Sequence, residues 1–473
     1  MAISSIGVGS GLPLSELLEN LRTNEELSLG LIESRATAVQ NRLSGYGTIK
    51  SSIEALKTAS DALGKAETFG ALKTSVNGEA FTASASAKGI AGQYRIEVQE
   101  LATSQTLTSA AQASRTAALA DGKVAIEIKV AGADAKTLTL DSADTSLEGI
   151  AKAINSDSSL GVSATLINDG SVPPQSYLLL TAKKTGEQAS IERITVSDAG
   201  AGTDVTALQN TIGFVKGSGG AANTGALTEQ AAKNASLLVN GIQVTSQSNT
   251  VEDAIDGVTL TLIKKNEAGS PDTLTITKDD TVASKAINTF VSAYNNLQGI
   301  IKALTSYDVD NQTSSALTGD SLARNVQSQV RGALNAAGEG AIRTLAQLGI
   351  STANFTDGTL KVDDVKLAAA LKDNMVDVQS LFAGENGISK QLAAVADTYV
   401  KSGGLISTAS DSMTNTLKQM NKQYQAESDR IDARMENYRK QFTALDSMVA
   451  QMNSVSSYLT QQLAALGNMN DQS

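Results

Sequence analysis

Between Tyr424 and Leu466, apolar side chains recur at alternating steps of four and three. The positions are Tyr424, Ser428, Ile431, Met435, Tyr438, Phe442, Leu445, Val449, Met452, Ser456, Leu459, Leu463 and Leu466, and eleven of these thirteen are apolar or aromatic. A 3.5-residue repeat keeps one stripe of a helix turned toward a partner helix, as in a left-handed coiled coil. Between the seam positions lie Lys422, Glu427, Asp429, Arg430, Asp432, Arg434, Glu436, Arg439 and Lys440, a solvated face of mixed sign. Neither glycine nor proline interrupts Leu405 to Leu466, so the spacing predicts one helix far longer than a globular domain needs.

The start of the chain carries a matching half. Leu14, Leu17, Leu18 and Leu21 form one apolar face, and Val39, Leu43, Tyr46, Ile53 and Leu56 form a second. Two apolar stripes at opposite ends of one chain are most economically covered by each other. Each fully buried large side chain is worth ~1.5–3 kcal/mol, a gain that appears only if a partner covers the seam. An intramolecular helical bundle would satisfy the pattern. A bundle that also forms subunit contacts satisfies it better, with Leu17, Leu21, Tyr438, Phe442, Leu445, Val449, Leu459 and Leu463 as the packing residues.

From about residue 75 to 280 the period switches to two. Tyr94, Ile96 and Val98 alternate, as do Val124, Ile126, Ile128 and Val130, then Leu138 and Leu140, and Val162, Ala164 and Leu166. Leu237 and Val239 precede Asn240-Gly241, followed by Ile242 and Val244, the pattern of a type I′ hairpin. Val258, Leu260 and Leu262, then Leu274 and Ile276, complete the strands. Thr145 with Glu148 reads as a capping box for a short helix carrying Leu147, Ile150 and Ile154 on one face. Asp198 to Ala231, rich in Gly, Ala, Thr and Asn, reads mostly as a mobile loop between two β domains. Helical spacing returns from Val282 to Leu304, and Leu345 to Phe382 holds a strand and helix unit in which Asp357-Gly358 makes a tight turn.

Composition narrows the chemistry. At 473 residues the chain is long enough for two to four domains. It contains no cysteine, histidine or tryptophan. That excludes disulfides, thiolate or imidazole catalysis and Cys/His metal sites, while carboxylate-only chemistry of the glycosidase kind stays formally open. A formal net charge of −11 repels nucleic acid and anionic membranes, and the doublets Lys183-Lys184 and Lys264-Lys265 form no basic patch. The first positive residue is Arg22, so the opening lacks the charged start of a secretory signal peptide. No run approaches the ~20 consecutive apolar residues of a membrane helix.

Candidate sites fail on context. Gly7, Gly9 and Gly11 follow no strand and precede no Gly-Lys-Ser/Thr, so they make no phosphate cradle. A calcium loop opening at Asp308 and Asp310 would need glycine where Thr313 stands and an acid where Gly319 stands. Asp279-Asp280 and Asp363-Asp364 are neighbours in sequence and read as turn or helix-starting residues. No catalytic, cofactor or metal residues are assigned, and the chain is read as a non-enzyme.

The opening ISSIGVGSGLPLSELLENL resembles the N-terminal segment of the bacterial flagellar filament cap family, the hook-associated protein 2 family. GQYRIEVQELATSQ, ASLLVNGIQVTSQSNTVEDAIDGVTLTL and LGISTANFTDGTLKVDDVKLAAALKDNMVDVQSLF are similar to further blocks of that family, in the same order. TSLEGIAKAINSDSSLGVSATLIND looks like an insertion motif shared with flagellins. Pro13 departs from the family pattern, but proline at a first helical turn only moves the helix start.

The resemblance implies an α+β multidomain protein: a helical coiled-coil leg from both chain ends, with two β-rich head domains in the middle. The expected bounds are 1–40 and 446–473 for flexible terminal helices, and 41–78 with 278–445 for the leg. The first head domain would comprise 79–106 with 232–277, and the outer one 107–231. The resemblance further implies export by the flagellar type III route, helped by a dedicated cytoplasmic chaperone. It implies a homo-oligomer, expected at five or six subunits, at the distal filament tip, where it promotes folding and insertion of flagellin and contacts the hook–filament junction protein. No cofactor, nucleic acid or membrane insertion is expected. Two alternatives stand beside this: another axial flagellar protein, of junction or flagellin type, or a tip adhesin binding host mucin glycans.

Overall fold

The computed structural model describes residues 7–200, 202–217 and 221–470, with 465–470 as backbone only. The chain divides into two compact units. One comprises Met1–Phe69 with Asp280–Ser473, and the other Gly70–Asp279.

The first unit is helical. Its N-terminal helix, Leu14–Leu63, starts immediately after Pro13, which stands at the N-cap, and the helix ends at Gly64. The C-terminal helix runs unbroken from Leu405 to Asn470, through the whole stretch to Leu466 that glycine and proline leave uninterrupted. Between them in sequence come helices Asp280–Thr305, Ser321–Ala333, Asp364–Asp373, Met375–Ala383 and Ile388–Val400.

The core of this unit forms where the second half of the N-terminal helix meets those shorter helices. Ile49, Ile53, Leu56 and Leu63 are buried there with Ile287, Phe290, Tyr294, Leu381, Phe382, Leu392 and Tyr399. Phe382 lies between Phe69, stacked at 6.3 Å, and Phe290, edge-on at 5.9 Å, geometries that add to simple area burial. The turn at Asp357-Gly358 joins strands Ile350–Thr352 and Leu360–Val362, with Gly358 at φ +73°. Asp280 and Asp364 open helices, and Asp308 caps a small turn by accepting from the Asp310 and Asn311 amides.

The second unit is β-rich and carries two apolar cores. In one, an antiparallel sheet runs in the order Leu72–Asn77, Asp272–Lys278, Gly92–Glu100, Ala235–Val239, Ile242–Ser246, with a second sheet of Thr250–Ile255, Val258–Leu262 and Phe81–Ala85. Their buried residues include Phe81, Ile96, Val98, Leu237, Leu260 and Leu274. Asn240 and Gly241 both have positive φ, +50° and +85°, so the hairpin has the handedness of type I′.

The other core lies under a sheet containing Ile191–Asp198, Val124–Val130 and Lys136–Leu140 and a sheet containing Ser176–Ala182 and Val162–Asn168. Helix Leu147–Ser156 buries Leu147, Ile150 and Ile154 here. Its cap differs from the one the sequence suggests. Ser146 accepts from the Gly149 amide, while Thr145 is fully buried and its hydroxyl bonds the backbone of Ala120 and Ser142.

Asp198–Ala231 is also corrected. Its described part contains helix Thr206–Ile212 and strands Phe214–Val215, Thr224–Gly225 and Thr228–Gln230. Leu208, Ile212, Phe214 and Leu227 enter the core. A few scattered apolar residues among many small polar ones give no periodic signal, so composition alone reads as loop.

Four side-chain amides act as substitute strands. Asn155 bonds both the N–H and C=O of Ala164, at 2.9 and 2.7 Å. Asn249 does the same to Ala102, Gln105 to Ile191 and Asn295 to Leu360. Each satisfies a backbone donor and acceptor that would otherwise be left without a partner where a strand ends or lies at an edge.

Candidate assembly interface on the terminal helices

The two chain ends pair as an antiparallel couple. Arg22 meets Asp432 at 3.1 Å and Glu25 meets Arg434 at 3.0 Å. Nearer the chain start, the Ser10 amide donates to Asp446 Oδ1 at 2.8 Å. From Ser10 to Arg22 the partner on the C-terminal helix steps back from Asp446 to Asp432, the direction of antiparallel packing. Arg434 also reaches Glu427 at 3.6 Å, and Arg430 meets Glu427 at 2.7 Å. One guanidinium thus holds a carboxylate from each helix, which fixes alignment more than it stabilises, because the groups remain partly solvated.

That register decides which apolar positions are covered. Ile431 and Met435 are buried, and Leu21, Tyr438, Phe442 and Val449 are half-buried. The Tyr438 and Phe442 rings stack at 6.4 Å. Leu17 and Leu445 are exposed, at 47% and 40%, although both belong to the apolar sets read from sequence. Leu459 and Leu463 are more exposed still, at 54% and 68%. The Leu466 side chain lies outside the described residues.

For Leu459 and Leu463 the reason is length. The C-terminal helix has 66 residues against 50 in its partner, and antiparallel pairing from Asp446 near Ser10 leaves its final turns beyond the start of the N-terminal helix. Met448, Met452, Val455, Leu459 and Leu463 then form one exposed apolar stripe at steps of three and four. They line a shallow groove with Gln451, Ser456 and Thr460. The stripe is thus contiguous, apolar and open to solvent on an otherwise amphipathic helix.

Among the described residues no group of three or more His, Cys, Asp or Glu side chains could hold a metal ion. No helix of the described chain is long and apolar enough to cross a membrane.

Residues 10–105 and 232–454 match the sequence profiles of the flagellar hook-associated protein 2 N-terminus and C-terminus. Flagellar hook-associated protein 2 of Escherichia coli K12 is 38% identical, over 98% of each chain. Its counterpart from Salmonella typhimurium is also 38% identical, over 98% of this chain and 99% of that one. The chain belongs to the flagellar hook-associated protein 2 family. Its fold agrees: the D1-D2-D3 domains of the Escherichia coli flagellar cap protein superpose with a TM-score of 0.68 at 35% identity, covering 78% of this chain and 99% of that one. The hook-associated protein 2 family is a structural family of flagellar cap proteins, and the mixed helical and β-rich architecture found here is that of its members.

Several residues of this interface carry no legible sequence signal. Glu25, Arg434 and Asp446 look like any charges on a solvated helical face, and the helix pairing sets Glu25 against Arg434 and Asp446 against Ser10.

Proposed function

We propose that this chain caps the growing flagellar filament, assembling with further copies at the distal tip and assisting incoming flagellin to fold and insert rather than escape into the medium. The observation that carries the reading is the uncovered stripe from Met448 to Leu463, continuous with a covered seam on the same helix. Such a stripe is stable in water only when short or when partnered, so it is the natural contact of an assembly. The remaining stretches, 41–78 with 278–445 as leg and 79–277 as two head domains, would hold the assembly together and close the tip. Folding of the arriving subunit would supply the work, and no nucleotide is required. Flagellar type III export would deliver the chain, and the hook–filament junction protein and an export chaperone would be its further partners.

Two measurements test this. Cells lacking the gene should shed unpolymerised flagellin and carry short or absent filaments. Leu459→Asp with Leu463→Asp should leave the isolated chain's stability within about 0.5 kcal/mol, because both sites are solvent-exposed. The same variant should fail to restore filaments and should lose the parent's oligomer mass. Full-length filaments in the deletion strain, or an unchanged oligomer with full motility in the double variant, would refute the proposal.

A further inference from the structure

The segment Gly7-Val8-Gly9-Ser10-Gly11 makes no phosphate cradle, and the cap function above assigns it nothing. Its own geometry gives it an occupant, the carboxylate of Asp446 on the C-terminal helix. The Ser10 amide donates to Asp446 Oδ1 at 2.8 Å, and the Ser10 hydroxyl donates to the same oxygen. The Gly11 amide closes the turn on the Gly7 carbonyl at 2.9 Å.

Two kinds of constraint act on these glycines. Gly7 and Gly11 take φ of +98° and +74°, in the left-handed region. At Gly7 a Cβ would also stand 2.3 Å from the Leu12 carbonyl oxygen. Gly9 lies against the helix, where a Cβ would come within 3.2 Å of the Ala450 Cβ and 3.3 Å of Asp446 Oδ2. The Ser10 hydroxyl and amide, with lesser help from the Gly7 and Gly9 amides, hold the Asp446 carboxyl below the ordinary aspartate range. Asp446 is thus ionised and faces a turn of donors, the arrangement of a backbone anion nest.

We propose that the Gly7–Gly11 loop is an intramolecular carboxylate latch that clasps Asp446, pins the start of the chain to the C-terminal helix and ends the paired part of that helix. The position gives the latch its meaning. Leu14, the first helical residue, is buried just inside it, and the exposed stripe begins at Met448 just outside it. The other charged ties between the helices, Arg22–Asp432 and Glu25–Arg434, lie further along the pair, away from this boundary. The latch therefore fixes how much of the apolar stripe stays free. It does so whether or not the stripe binds a filament.

A chain without cysteine permits clean double labelling. Spin labels at Val8→Cys and Gln451→Cys should report a narrow, short distance distribution in the full-length chain. Asp446→Ala should broaden it, and so should Ser10→Pro, which removes both donors without touching the helix. Asp446→Asn, which keeps an acceptor oxygen, should broaden it less. Labels at Asn20→Cys and Lys440→Cys should report an intact helix pair in all variants. If Asp446→Ala disturbs that control pair, Ser10→Pro decides. A distribution that is already broad in the parent, or unchanged by Ser10→Pro, overturns the latch.

Discussion

Asp320→Ala should cost the helical unit about 2.5–5 kcal/mol, summed from three interactions that one carboxylate makes at once. Asp320 Oδ1 accepts from the Ala323 amide at 3.0 Å and caps helix Ser321–Ala333. That cap is worth ~1 kcal/mol. Oδ2 accepts from the Tyr46 hydroxyl at 2.6 Å, in a side chain only 6% exposed. A hydrogen bond to a charged group in such a place is worth ~1.5–3 kcal/mol, and its loss strands a phenol on a residue 4% exposed. Arg42, 47% exposed, adds no more than ~1 kcal/mol.

The assay is urea unfolding of the full chain followed by far-ultraviolet circular dichroism, which reports mainly the helical unit. Tyr46→Phe with Asp320→Ala should show a coupling of about 1.5–3 kcal/mol in a double-mutant cycle. Burial pushes the Asp320 carboxyl up, but hydrogen bonds from Tyr46, the Ala323 amide and Arg42 outweigh it and hold the group below the ordinary 3.8. Its contribution is therefore complete above that value and lost as pH falls through the lower, folded value. The gap between parent and Asp320→Ala should hold from neutrality downward and close only in strong acid. Burial, then the bond to Asp320, pushes the Tyr46 phenol up to about 12. Its contribution is complete below the ordinary 10 and lost as pH rises through about 12, a loss Tyr46→Phe should not show. A cost under about 1 kcal/mol for Asp320→Ala, or a coupling near zero, would refute the reasoning.

Gln105→Leu strands both backbone groups of Ile191 in the β core under helix Leu147–Ser156 and should cost ~2–4 kcal/mol, visible as a lowered calorimetric transition of the β-rich unit with the helical signal unchanged. Ile53→Ala, at a site 2% exposed between helices, should cost ~2–5 kcal/mol in the urea assay. Leu17→Ala, 47% exposed, should change stability by less than about 0.5 kcal/mol in the same assay, despite standing among the leucines of one sequence stripe.

Much of this architecture follows from the sequence itself. A 3.5-residue repeat from Tyr424, in a stretch from Leu405 that no glycine or proline breaks before Leu466, requires a long helix with one apolar seam, and alternation at Val124, Ile126 and Ile128 requires a strand with one buried face. Asn240-Gly241 dictates its turn because positive φ at both positions suits few other pairs. Periodicity identifies an apolar face, but it cannot say what covers it. Leu445 and Ile431 occupy the same seam, yet one is open and the other closed, because antiparallel register and unequal helix lengths are properties of the pair. The same limit applies to polar groups. Asn155, Asn249, Gln105 and Asn295 are unremarkable in sequence, and each became a substitute strand only when the fold brought a bare peptide unit within hydrogen-bonding distance. Local pattern sets what each segment wants to bury. Only the tertiary structure decides which of those wishes are met within the chain, and the stripe from Met448 to Leu463 is left uncovered.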